Sequence, residues 1–264
     1  MNFLAYGFMQ RAIISGLLLS VVTSILGAYL VFRGLTFMGS GISHSAFGGI
    51  ALGILLGINP LISAIIFSLF VVWLIPFINR KVPLKGDVPI GIFYTSSMAL
   101  GSIFLALHKG YTVDLFSYLF GNILGVGYDD IIITLFFLFL VLLFFFKNYW
   151  RIVYIIFDPI SAEVSGINTF VLEEIVLSLS AIAIVLASKL IGIILISALL
   201  VIPPSIAIPR SKSFKEAVFL SSIISLIGIW GGLISSFYLN LPSGSTIILI
   251  LTLIFFISVY RRKK

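Results

Sequence analysis

Cysteine is absent from the 264 residues, which removes disulfides, thiolate metal sites and cysteine nucleophiles at once. Charge is scarce as well. Asp, Glu, Lys and Arg make up 9% of the chain and hydrophobic residues 61%, whereas a soluble domain carries about a quarter of its residues as charges. With a mean hydropathy of +1.26, the sequence describes an integral membrane protein. A hydrocarbon core of roughly 30 Å takes about 20 helical residues per crossing, so this length accommodates roughly eight to ten crossings joined by short loops. That leaves no room for a built-in nucleotidase, kinase or extracellular binding domain, and no G-x-x-x-x-G-K-[ST] phosphate-cradling loop occurs. Energy from ATP must come from another chain.

A net charge of +7 would suggest nucleic acid in a soluble protein. Here the basic residues sit between apolar runs and in the tail Arg261, Arg262, Lys263, Lys264, a pattern of membrane orientation with no nucleic-acid partner. Residues 1–10 lack a positive n-region, and no small-residue cleavage site follows the apolar run after Arg11. The first hydrophobic segment is therefore expected to be retained.

Apolar runs fall at 12–32, 42–57, 60–77, 89–107, 131–146, 175–188, 190–208, 217–238 and 243–260. They are continuously apolar, without the alternation of barrel strands, so the expected fold is an all-α polytopic membrane protein, read as one transmembrane domain over 1–264. The count is eight or nine. Run 42–57 is short and contains Gly48, Gly49, Gly53 and Gly57, as a broken or re-entrant helix would. Twelve of the sixteen Lys and Arg residues fall on one side, in the loops around Arg80, Lys147 and Arg210 and in the basic tail. That side is assigned to the cytoplasm of a cytoplasmic (inner) membrane, with the C-terminus inside. Arg11 and Arg33 exchange sides between the two counts.

Two connections stand out. The outer one, 108–127, mixes apolar and polar residues and reads as a short helix on the outer surface. The inner one runs from Lys147 to Glu174. Within it Asp158 as N-cap, Pro159 at the first helical position and Gly166 as terminator predict a short cytosolic helix placed to press against a peripheral subunit, or an ordinary surface loop. The runs Phe136-Phe137 and Phe144-Phe145-Phe146 read as lipid-facing bulk, and Gly192, Gly231 and Gly232 as close-packing positions. Surrounding lipid is an obligatory partner.

His44 lies inside an apolar run between Ser43 and Ser45. An ionisable group at membrane depth faces a cavity or a partner, and imidazole suits Zn, Mn and Fe. The bland alternative is a histidine hydrogen-bonded within the bundle. His108 reads as a residue of a solvated loop. Glu173 and Glu174 mark a solvated helix start, and Asp158 and Glu163 face a partner.

Five segments, in order, resemble the permease subunits of ATP-binding-cassette importers for manganese, zinc and iron: Phe8 to Ala12 with Arg33 to Ala46; Asp114 to Leu124; Phe157-Asp158-Pro159 with Ala162, Gly166 and Ile167; Gly192 to Pro203; and Ser236 to Gly244. The resemblance implies a homodimer with a central pathway, two cytosolic ATPase subunits, and an extracytoplasmic metal-binding protein that delivers the ion. It implies no permanently bound cofactor, the divalent metal being cargo. It makes His44 a pathway residue, Asp114 a lesser candidate for metal or delivery-protein contact, and Asp158, Pro159, Ala162, Glu163 and Gly166 the segment coupled to the ATPase. The family's usual Asp one helical turn before the histidine is replaced by Ser40, a weaker, neutral ligand. Two rival readings are a permease for a chelated metal or cobalamin-like ligand, and a carrier driven by an ion gradient. The second would need carboxylates inside the membrane, and no carboxylate lies in a well-defined apolar run.

Overall fold

The computed structural model describes residues 6–81, 88–108 and 125–262. Among these the regular structure is helical: α1 (Gly7–Phe32), α2 (Thr36–Leu56), α3 (Pro60–Lys81), α4 (Val88–Leu107), α5 (Tyr128–Lys147), α6 (Tyr149–Phe157), α7 (Pro159–Val164), α8 (Thr169–Ile191), α9 (Ile193–Ala207), α10 (Phe214–Leu239) and α11 (Ser243–Arg262). Nine described helices are long and apolar enough to cross a membrane. In hydrocarbon every backbone N–H and C=O must be satisfied within the segment, and uninterrupted helices do this. The outer connection with Asp114, the loop with Lys85, and Lys109 lie outside the described residues.

The chain divides into two compact units, one of 1–34, 122–169 and 198–264, the other of 35–121 and 170–197. In the first, α1 packs along α10 and α5, and α10 along α11. Gly232 allows the last approach, since a Cβ there would stand 2.6 Å from the Ile247 Cα. The phenylalanine runs divide between lipid and core: Phe136 and Phe146 are exposed, while Phe137 and Phe145 are buried, and Phe145 stacks on Phe214 at 6.3 Å. Only alternate members of each run are lipid-facing bulk, because one helical face must serve the bundle.

In the second unit α2 packs against both α3 and α4. Run 42–57 belongs to a continuous 21-residue helix that starts at Thr36, so no break occurs at its glycines. Three of them serve packing. A Cβ on Gly48 would lie 2.8 Å from the Ser97 carbonyl oxygen, one on Gly49 2.6 Å from the Ala64 Cα, and one on Gly53 2.8 Å from the Pro60 Cα. Gly57, at φ 67°, caps the helix in the left-handed region. Gly192, at φ 84°, is the one-residue junction of α8 and α9, where the left-handed backbone itself favours glycine.

The two ends of α1 pair with different connections. Arg11 Nε donates to the Val126 carbonyl at 2.7 Å, beside the outer connection. Arg33 Nη1 donates to the Ile155 carbonyl at 3.4 Å, within the inner connection. Nine crossings, with Arg33 on the basic side, agree with these pairings.

Candidate functional site

Two hydroxyl pairs fix the middle of α2. Ser43 and Ser45 donate one turn back, to the carbonyls of Gly39 at 2.7 Å and Gly41 at 2.9 Å, which satisfies them inside the helix. Ser43 Oγ also lies 2.9 Å from Ser197 Oγ, and Ser45 Oγ 3.3 Å from Ser97 Oγ. These pairs fix the rotation of α2 against α4 and α9, and so the direction in which the residue between them points.

That residue is His44. Its Nδ1 lies 3.1 Å from Met98 Sδ, and its ring meets Tyr94 edge-on, with centroids 4.2 Å apart and planes at 74°. Tyr94 and Met98 are one turn apart on α4, so a single helix face holds the imidazole from two sides. His44, Ser40 and Tyr94 line a cavity of about 230 Å³ with Phe37, Gly41, Ile90 and Gly91. Gly41 permits its narrowness, since a Cβ there would stand 2.6 Å from Ile90 Cγ2.

Ser40 and His44 thus share one cavity one turn apart. His108 does not join them: it follows the end of α4, ten residues beyond Met98 and so about 15 Å along the axis. Asp114 lies outside the described residues. The donors around His44 are neutral: an imidazole, a thioether, a hydroxyl and a phenol. Among the described residues no three His, Cys, Asp or Glu side chains gather into a metal-binding group. Such a set suits a softer divalent ion held briefly more than a hard one held tightly. Tyr94 and Met98 were not legible in the sequence, where a Tyr and a Met four apart in an apolar run look like core.

The inner connection is more ordered than the sequence suggests. The sixth helix precedes the short one, with Ile152, Ile155 and Ile156 buried and Trp150 and Phe157 exposed. The seventh has the ends read from the sequence. Asp158 accepts from the Ser161 backbone N–H at 3.0 Å with Pro159 at the helix start, and hydrogen bonding to Ser161, from its side chain first and its backbone N–H second, holds its carboxyl below the ordinary range. At the other end Gly166, at φ 83°, donates to the Glu163 carbonyl while Ile167 donates to that of Ala162. Those paired bonds terminate the helix in a left-handed glycine cap. Ala162 is buried, and Ile160 and Val164, one turn apart, are 76% and 84% exposed. Glu173 and Glu174 are half-buried within α8, which begins at Thr169 and not after them.

Residues 5–262 match the family model described as the ABC 3 transport family. A manganese transport system membrane protein of Listeria innocua, MntC, is 33% identical over 96% of this chain and 90% of its own length. A high-affinity zinc uptake system membrane protein of Haemophilus influenzae, ZnuB, is 30% identical over 96% of this chain and 97% of its own. Among solved structures, PsaBC from Streptococcus pneumoniae in complex with Fab superposes with a TM-score of 0.87 at 32% identity, covering 97% of this chain and 92% of that one. With the match running from end to end, the chain belongs to the ABC 3 transport family.

Proposed function

We propose that this chain is the membrane-spanning permease subunit of an ABC importer that moves a divalent transition metal ion, zinc or manganese foremost, into the cytoplasm. Two copies would form the pathway in the cytoplasmic membrane, with the basic tail inside. Cytosolic ATPase subunits hydrolyse the ATP, since this sequence has no phosphate-binding loop, and an extracytoplasmic protein delivers the ion. The observation that carries the reading is the cavity where Ser40, His44 and Tyr94 meet beside Met98, in a chain of this family. Neutral donors lower the cost of dehydrating the ion without trapping it, as conduction requires.

The seventh helix supplies the coupling surface. Its buried Ala162 seats it, and its exposed Ile160, Glu163 and Val164 offer an apolar pair and a charge to a peripheral subunit. Asp158, Pro159 and Gly166 define its ends, so that a push on the exposed face moves the helix as a unit. Metal uptake into proteoliposomes by the complete transporter tests the whole reading. His44→Ala should abolish most uptake while leaving assembly with the ATPase intact. Uptake at the wild-type rate across metal concentrations would make His44 a packing residue and place the path elsewhere.

A further inference from the structure

In the first unit, α1, α5, α6 and α10 enclose a groove of about 620 Å³, within the 300–1,000 Å³ typical of small-molecule sites. Its lining changes character along its length. At one end stand Tyr149, Trp150 and Lys215, with the Lys215 ammonium 4.6 Å above the Tyr149 ring. Lys147 and Arg151, both exposed, flank the same corner in sequence. At the other end are Ile25, Leu142 and Ser222, and the Ser222 hydroxyl is consumed by the Val218 carbonyl at 2.9 Å. From Phe214 to Ser222 the tenth helix rises about 12 Å, most of one hydrocarbon leaflet. The stacked pair Phe145 and Phe214 lines it between the ends.

We propose that this groove is a binding site for an anionic phospholipid, its phosphate on Lys215 and Tyr149 and one acyl chain along Leu142, Ile25 and Ser222. A cationic, aromatic mouth leading into an apolar groove about a leaflet deep is the complement of a lipid with a charged head. No acidic residue lines the groove: the nearest in sequence, Glu216, turns its carboxylate to the Lys212 backbone N–H at 2.6 Å. Charge therefore selects an anionic head over a zwitterionic one. A second copy of the chain fits less well. A two-fold interface centred here would bring the two Lys215 side chains together.

Native mass spectrometry of the delipidated transporter, titrated with phosphatidylglycerol or phosphatidylcholine of identical chains, tests this. Wild type should bind phosphatidylglycerol more tightly by about fivefold, the contribution of one basic residue at a membrane surface. Lys215→Gln, at an exposed position, should erase that preference, and Lys215→Arg should keep it. Because the chain has no cysteine, Phe219→Cys adds a unique thiol beside the groove, and a lipid occupant should leave it unable to cross-link to its counterpart. Equal affinity for the two lipids, an undiminished preference in Lys215→Gln, or efficient disulfide dimerisation of Phe219→Cys would each overturn the assignment, the last in favour of a second copy.

Discussion

Replacing Ser40 by Asp places a carboxylate one helical turn from His44, and the consequence for selectivity follows from the geometry. Residues four apart on a helix have Cβ atoms about 5–6 Å apart, and both already line the same cavity. At an effective dielectric constant near 20, opposite unit charges 4 Å apart attract by about 4 kcal/mol, and a divalent ion doubles this. Dehydrating ion and carboxylate takes back several kcal/mol. A surplus of only about 1.4 kcal/mol still tightens retention tenfold. Carboxylate favours manganese, whereas thioether and imidazole favour zinc. Ser40→Asp should therefore lower the half-saturating manganese concentration by about tenfold, change zinc less, and slow maximal flux, since a tightly held ion leaves slowly. Met98→Leu should act in the opposite sense: it conserves volume at a cost below about 1.5 kcal/mol but deletes the sulfur 3.1 Å from His44, so zinc uptake should fall more than manganese. The assay is competitive uptake of the two radioactive ions into proteoliposomes of the complete transporter. Unchanged half-saturation for both metals in Ser40→Asp would refute the placement of this face on the path.

Three further outcomes follow from packing and capping. Gly166→Pro puts a ring fixed near φ −65° where the chain needs 83°, and Asp158→Ala removes the cap on Ser161; both should uncouple ATPase turnover from metal uptake, while Asp158→Asn, an equally good cap, should not. Because the folded carboxyl is depressed, its stabilisation is fully present above the ordinary Asp range and lost as pH falls through the lower folded value, so coupling measured near neutrality should be insensitive to pH through this group; a coupling loss centred near pH 6 that vanished in Asp158→Asn would contradict this. Gly49→Val should destabilise the second unit by about 1–3 kcal/mol through overpacking, because a Cβ there already meets the Ala64 Cα at 2.6 Å. Thermal unfolding in detergent measures it, and a wild-type midpoint would mean that α2 and α3 can part freely.

The helices were legible because each had to satisfy its own backbone in hydrocarbon, which leaves a continuous apolar run as its mark. Asp158-Pro159 and Gly166 were legible for a local reason too, since caps are set by side chains within a turn of the helix end. The sixth helix was not. Its buried Ile152, Ile155 and Ile156 are interleaved with exposed Arg151, Tyr154 and Phe157 in an apolar stretch far too short to span, so only the 3.6-residue period betrays a helix with one buried face. Glycines were ambiguous for the same physical reason at every position. A missing Cβ serves a broken helix, a cap or a close contact equally well, and only the neighbours of Gly49 and the left-handed φ of Gly57 and Gly192 tell these apart.

The site divides along the same line between local and distant information. Ser40 and His44 are related by one turn of one helix, so their shared face could be written down from spacing alone. Tyr94 and Met98 stand beside His44 only because α2 and α4 meet in one register, and that register is set by glycines that remove side chains at Gly41, Gly48 and Gly101 and by the Ser45 and Ser97 hydroxyls that meet across the contact. No periodicity in either helix encodes a relation between them. The group that contacts the His44 ring nitrogen, the Met98 sulfur, is therefore the residue least visible in the sequence. It follows that substitutions at the α2–α4 contact should alter metal choice by rotating α4, and that the same Ser40 and His44 on α2, set against a differently packed α4, should favour a different ion.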